Sequence, residues 1–362
     1  MAWQGIIKTQ LIKEYEMKKR VLALISALAI AAVSIMGCGE NGSAAAADST
    51  GTEKVTVRIG TQEMPNDEGI AKALDYFKEE MGDNVDIELS VFASGKDVNV
   101  ALASDSIDIG LIGNCPATIA ITQELGVEMI WIHEVLGSVE SLVAKDDSGI
   151  ASVEDLKGKR VAVPFASTAH FSLLKALKTA GLTEQDLTIY DMESDKIYAS
   201  WTNGDIDAAY IWQPTLSQLE NQTVICTSED VANAGYMTSN CEVVKTEFAK
   251  AHPEVVEAYI RALDRAAALF INNQDEAVDA ISKALELSKE DALFQMSGSK
   301  WLTAKEQLAS EYFGTSDKKG ALVDNLYETA EFLAEQGSIQ TLPDRAVFEN
   351  AVNPSYIEAA IQ

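Results

Sequence analysis

From Val55 onward, short runs rich in β-branched residues alternate with stretches of helical periodicity, and they do so twice in the same order. VTVRIG (55–60) reads as a strand, and 68–81 as an amphipathic helix with Ile70, Leu74 and Phe77 on one face. VDIELSVF (85–92), IDIGLIG (107–113), VEMIWIHEV (127–135) and ESLVAK (140–145) read as further strands, with helical stretches at 98–103 and 116–125. Such an alternation dictates an α/β fold built on open sheets.

The second round starts at SVEDLKG (152–158), where Ser152 is placed to cap and Asp155 to close a capping box. RVAVPF (160–165), LTIYDM (187–192) and IDAAYIW (206–212) are its strands, with helices over 169–180 and 197–203. From residue 247 the chain reads as helical, over 248–271, 275–287, 303–311 and 319–336. The two rounds share an internal echo. Ser106-Ile107-Asp108-Ile109-Gly110 leads to Asn114-Cys115-Pro116, and Asp205-Ile206-Asp207-Ala208-Ala209 leads to Gln213-Pro214. The echo fits two similar lobes facing one another across a cleft.

Three strand-to-helix junctions look alike: Phe92-Ala93-Ser94-Gly95, Gly113-Asn114-Cys115-Pro116 and Phe165-Ala166-Ser167-Thr168. Each places small residues and a cap-type side chain at a helix start. The first N–H groups of a helix have no partner within it, and they sit at the positive end of its dipole. Such ends hold anions without arginine, although each junction taken alone is also accounted for as a plain helix cap.

That matters because the chain is acidic. Residues 1–37 carry five Lys/Arg and two Asp/Glu, so the remainder has 23 basic and 54 acidic residues, a net charge of −31. A surface of that sign repels nucleic acid, which is excluded as a partner. The N-terminal segment itself reads as an address. Lys18-Lys19-Arg20, the apolar run from Val21 to Met36 and Gly37-Cys38 have the layout of an export signal that ends in a lipobox-like sequence. The apolar run is short for a bilayer span, which needs ~20 residues. Cleavage before a diacylated Cys38 is expected, with Met17 the initiator and 1–16 an over-extended start. Residues 38–53 are a small, polar tether. The other cysteines, Cys115, Cys226 and Cys241, form no CxxC, and the three histidines have no metal spacing, so no metal site and no cofactor are expected. A Cys226–Cys241 disulfide is possible by count alone.

Several blocks resemble a known family: FASG (92–95), IDIGLIGNCPA (107–117), LGSVESLV (136–143), KGKRVAVPFASTAHFSLLKAL (157–177), ASWTNGDIDAAYIWQP (199–214), KTEFAKAHPEVVEAY (245–259) and SKWLTAKEQ (299–307). They resemble the taurine, aliphatic sulfonate and nitrate solute-binding family of bacterial ABC importers, its taurine-binding branch above all. The resemblance implies a two-lobed periplasmic-binding-protein fold of the second type, with residues 54–145 and 245–362 in one lobe and 146–242 in the other. The crossings would lie near 143–147 and 240–246. It also implies an extracytoplasmic, lipid-anchored monomer. Such a protein closes on a small sulfonate and delivers it to a permease driven by an ATPase.

Taurine has a sulfonate at one end and an ammonium at the other. The sulfonate needs N–H and O–H donors and the ammonium needs carboxylates. The expected donors are Ser94, Gly95, Asn114, Cys115, Ser167 and Thr168. Glu140 is the first candidate for the ammonium and Asp207 the second, although the echoed Asp108 gives Asp207 an equal claim to a structural role. Trp212 and Tyr210 share a strand face; Trp212, at the strand end, is the better wall for a pocket, with Gln213 beside it. His170 either lends a donor or supports its loop, and His133 is expected to pack. Near Asn240 the family carries an Asp, and its absence here weakens the case for an ammonium-bearing ligand. Another alkanesulfonate, nitrate or a thiamine precursor therefore remains an alternative. An enzyme of the thiamine-pyrimidine-synthase type is the remaining alternative. Ser167, His170 and Asp207 make a triad only on paper, with no nucleophile elbow to support it.

Overall fold

The structure, a computed structural model, describes residues 54–362. The expected leader, Cys38 and the tether lie outside the described residues. Eleven strands are described: β1 (Val55–Thr61), β2 (Val85–Val91), β3 (Ile109–Gly113), β4 (Val127–Leu136), β5 (Glu140–Lys145), β6 (Arg160–Val163), β7 (Thr188–Asp191), β8 (Ala208–Trp212), β9 (Gln222–Thr227), β10 (Ser239–Lys245) and β11 (Ser299–Trp301). They form two sheets, in the orders β11-β4-β10-β3-β1-β2 and β7-β6-β8-β5-β9.

Each sheet has the same plan. A parallel trio, β2-β1-β3 or β7-β6-β8, is followed by an antiparallel strand, β10 or β5. The sequence echo has a physical counterpart in this plan. Asp108 accepts hydrogen bonds from the Arg58 backbone N–H and from its guanidinium Nε and Nη2, clamping β1 to the start of β3. Asp207 does the same for Arg160, clamping β6 to the start of β8.

The sheets are joined by two chain crossings. The chain leaves the first sheet at Leu136 and enters the second at Glu140, so the crossing is at 137–139 rather than 143–147, and β5 belongs to the second sheet. It returns through 234–238 rather than 240–246, and all of β10 lies in the first sheet. Alternation of hydrophobic residues marks strands but does not say which sheet they pair into. The first crossing is tight: a Cβ on Gly137 would lie 2.5 Å from the Gly298 carbonyl oxygen.

Helices cover the outer faces. The Pro253–Asn272 helix, with proline in its first turn, buries Val255, Val256, Tyr259, Ile260 and Leu263. The stretch read as one helix over 68–81 is two, Asp67–Ala73 and Tyr76–Met81, with Asp75 left-handed between them (φ 58°). Aspartate is one of the few residues that enters this region readily. The Leu322–Glu335 helix runs beside Asn114–Thr122 and sets Phe332 edge-on to Phe171 of the second unit, ring centroids 5.0 Å apart.

Candidate functional site

Between the two sheets lies a cavity of about 60 Å³, measured as the space open to the centre of a water molecule. That is room for roughly four to six waters, the bulk of a small organic ion. Met64, Leu136, Val139, Trp212, Met296 and Trp301 give it apolar walls.

All three strand-to-helix junctions reach it. Gly95 opens the Gly95–Ala103 helix, Gly113 and Pro116 flank the start of Asn114–Thr122, and Ser167 and Thr168 open Thr168–Thr179. The approach is close. A Cβ on Gly95 would lie 2.6 Å from Pro116 Cγ, and one on Gly113 would lie 2.8 Å from Thr168 Cγ2 on the opposite sheet's helix.

The hydroxyls are less available than the sequence implies. Ser167 Oγ donates to the Pro164 carbonyl at 2.6 Å and accepts from the His170 N–H at 3.2 Å. Thr168 Oγ1 donates to Glu140 at 2.5 Å. Ser94 Oγ donates to Asp97 at 3.1 Å. What these junctions offer an anion is therefore the backbone N–H groups of the first helical turns.

Glu140 is buried and lines the cavity. Both of its oxygens are engaged, Oε2 by Thr168 and Oε1 by Ser228 Oγ at 2.7 Å. Burial pushes its carboxyl up to about 7, and the two hydroxyls oppose that rise.

A second carboxyl went unread in the sequence. Glu134, near the end of β4, is buried and lines the same cavity. Its Oε1 accepts from Asn240 Nδ2 at 2.6 Å, and its Oε2 makes no hydrogen bond of ordinary geometry, although the Asn66 amide is close enough to favour the ionised form. A carboxyl thus stands beside Asn240 after all, supplied by the neighbouring strand. Burial pushes it up to about 7 as well, helped by Asp67 and opposed by His133 and by the Asn240 and Asn66 amides. Gln295 also lines the cavity, and its Oε1 is buried without a partner.

The remaining expectations divide. Trp212 and Gln213 line the cavity. Ser94, Asn114 and Cys115 are buried beneath the lining without forming part of it. Asn114 Nδ2 donates to Asn325, and Cys115 points its thiol into the core, where burial raises it well above the usual thiol range. Asp207 is a correction: it clamps Arg160 at the far end of β8, away from the cavity. Its role follows from the turn before a parallel strand, where the Arg160 N–H needs an acceptor. Cys226 and Cys241 are separate free thiols. His170 supports its loop: Nδ1 accepts from the Ala166 N–H at 3.3 Å, and the ring stacks on Phe165 with centroids 4.3 Å apart. Burial lowers it to about 4, so it is uncharged at neutral pH.

His133 does more than pack. It is fully buried, with Nδ1 2.6 Å from Asp67 and Nε2 3.0 Å from Glu242. Both ring nitrogens face carboxylate oxygens, so both carry protons. Burial alone would discharge the ring, but Asp67 and Glu242 hold it well above its ordinary value. Tyr259 Oη contacts Glu242 at 2.7 Å and Glu68 at 2.9 Å. A phenol has one proton, so a carboxyl supplies the second. Glu68 and Glu242 share that proton as a pair, both raised, chiefly by burial. Because side chains alternate along β4, His133 anchors this buried network while Glu134 beside it faces the cavity.

Two sheets of one plan, joined by two crossings around a cavity lined from both, define a periplasmic-binding-protein fold. The NMT1/THI5 like family matches residues 69–277. The chain is 35% identical, over 79% of its length and 88% of the relative's, to the taurine-binding periplasmic protein of Escherichia coli K12. The alkanesulfonate-binding protein SsuA from Xanthomonas axonopodis pv. citri, solved bound to MOPS, superposes with a TM-score of 0.66 at 22% identity, covering 83% of this chain and 98% of that one. The desulfurization enzyme DSZB shares the fold, with a TM-score of 0.61 at 16% identity, covering 85% and 99%. The chain belongs to the NMT1/THI5-like family of periplasmic-type binding proteins.

Proposed function

We propose that this chain is the substrate-binding component of an ABC importer and that it captures a small sulfonate, taurine being the first candidate. The observation that carries this reading is the convergence of three helix N-termini, at Gly95, Gly113–Pro116 and Ser167–Thr168, on one small cavity. In a strongly acidic protein these dipoles supply the attraction for an anion that the net charge does not. The 35% identity to a taurine-binding protein supports the ligand class.

Capture occurs by closure of the two lobes about the crossings at 137–139 and 234–238, a population shift toward the form that a permease and its ATPase recognise. Lipidation at Cys38 holds the protein at the membrane outside the cytoplasm, where a tether of 38–53 raises the local concentration of the pair. The protein acts as a monomer and as a carrier, not a catalyst. Ser167, His170 and Asp207 do not assemble into a triad: Ser167 is bonded to Pro164, His170 serves its loop, and Asp207 holds Arg160.

The test is thermal unfolding of residues 39–362, freed of carried-over ligand, against taurine, ethanesulfonate, longer alkanesulfonates, nitrate, sulfate and thiamine precursors. A ligand at 100 times its Kd stabilises the fold by ~2.7 kcal/mol. A shift with taurine or another small sulfonate is expected. A shift confined to nitrate or thiamine precursors, or no shift at all, refutes the ligand class.

A further inference from the structure

The cavity holds two carboxyls, and they are not equivalent. Each oxygen of Glu140 already accepts a hydroxyl proton, from Thr168 and from Ser228. Glu134 presents one oxygen, Oε2, that is buried and makes no hydrogen bond of ordinary geometry, the Asn66 amide nearby being itself unsatisfied, while Oε1 is fixed by the Asn240 amide. Gln295 adds a second buried, unpartnered acceptor in the same lining. An acceptor left unpaired once a ligand has displaced the cavity's water costs ~1–3 kcal/mol, so two in one lining favour a ligand that donates. An ammonium, with three N–H groups and a positive charge, supplies donors of the kind these acceptors lack.

The acceptors and the anion-holding N–H groups are on different sides of the cavity. Glu134 pairs in register with Trp301 of β11, and Gln295 lies just before that strand. Gly113, at the other side, ends β3, with Asn240 of β10 between it and Glu134. Glu134 and Gly113 are thus two strand spacings apart, about 10 Å between backbones. That separation is of the order spanned by a sulfonate and an ammonium joined by a short linker, with a hydrogen bond at each end.

We propose that Glu134, and not Glu140, receives the ligand's cationic end, so that this cavity selects short zwitterionic ω-aminosulfonates over plain alkanesulfonates. The assignment rests on the sulfonate-binding reading above. In the free protein Asp67 disfavours a charge on Glu134, His133 favours it, and Glu140 shares the cavity. Glu134 is held up to about 7, so it is partly protonated at neutral pH. An ammonium binds the ionised form, and its arrival therefore expels protons.

The test is isothermal titration at pH 7 of the wild-type chain and Glu134→Gln with taurine and with ethanesulfonate, in buffers of different ionisation enthalpy. Glutamine keeps an oxygen for Asn240 and the shape of the site. In the wild type, taurine is expected to bind more tightly than ethanesulfonate and to release about half a proton per ligand, the fraction for a group near pH 7. In Glu134→Gln, taurine weakens ~30-fold or more, as for a buried charge pair broken from one side. The proton release disappears, and ethanesulfonate binds as well as before or better, which also shows that the variant is folded. Taurine affinity and proton release that survive the substitution overturn the assignment while leaving the sulfonate reading intact; Glu134 then merely completes a pair with the Asn66 amide. Equal weakening of both ligands overturns it too, because the residue then acts on the site's shape. A wild-type chain that binds neither ligand overturns the functional reading and this assignment with it.

Discussion

Gly113→Ala tests the idea that the two lobes close tightly at the cavity. Gly113 has φ −70° and ψ 159°, which alanine adopts without strain, so the backbone itself does not resist the change. The new methyl carbon would lie 2.8 Å from Thr168 Cγ2, across the gap between the lobes. Carbon atoms rest ~3.5–4.0 Å apart, so Thr168 has to retreat by about 1 Å. Overpacking of this kind costs ~1–3 kcal/mol, which corresponds to a roughly 5- to 150-fold loss of affinity. The open form escapes the clash, so the strain falls on ligand binding and not on folding. Calorimetric titration with taurine is expected to show the weakened Kd, with the melting temperature of the ligand-free protein little changed. Gly113→Ala/Thr168→Ser removes the clashing methyl, keeps the hydroxyl that serves Glu140, and should restore binding. Unchanged affinity in the single variant, or failure of the double variant to recover it, would refute closure at this contact.

Asp207→Ala should lower the melting temperature by releasing the Arg160 clamp while changing ligand affinity less than twofold, measured by titration; a large loss of affinity would return Asp207 to the site. Stability should decline as pH rises. Glu134 and Glu140 keep their protons up to about 7 while the unfolded chain releases them near 4.5, so each carboxyl removes ~1.4 kcal/mol per pH unit across that window. His133, raised when folded, contributes fully below 6.5 and is lost as pH passes through its elevated value, so it slopes the same way. Urea unfolding at pH 5.5 and pH 8 checks the sign. His133→Leu leaves Asp67 and Glu242 facing each other without their cation and is expected to cost ~3–5 kcal/mol at neutral pH in the same assay.

Much of this architecture is legible in the sequence because its strands alternate cleanly and its junctions carry small residues and caps. The Ser152–Asp155 capping box is present as read. The three junctions are brought to one cavity, which local patterns suggest but only the pairing of strands can arrange. What escapes is instructive. SNCEVVK (239–245) does not look like a buried strand, because Asn240 and Glu242 interrupt the apolar run, yet nearly the whole strand is buried. Glu242 is tolerated there because His133, more than a hundred residues away, supplies a counter-charge and Tyr259 donates a hydrogen bond. Glu134 hides for a similar reason: within VEMIWIHEV a glutamate near a strand end reads as exposed, and its partner is more than a hundred residues away. Glu140 misleads in the opposite sense. It reaches the cavity, but Thr168 and Ser228 occupy its oxygens, which no spacing rule foretells. Asp207 looked functional or structural by the same echo, and its clamp on Arg160 resolves that ambiguity.

The position of β10 reaches beyond the site. It lies between β3 and β4, antiparallel to both, but is synthesised only after the entire second sheet, with Leu136 and Ser239 bounding the interval. Until Ser239–Lys245 emerges, β3 and β4 have no strand to join them, and the buried charge of His133 lacks Glu242. Pairing over so long a loop is slow. A nascent chain therefore cannot complete its first sheet until almost two-thirds of its length has been made, and the first lobe is assembled around a strand that arrives after the second.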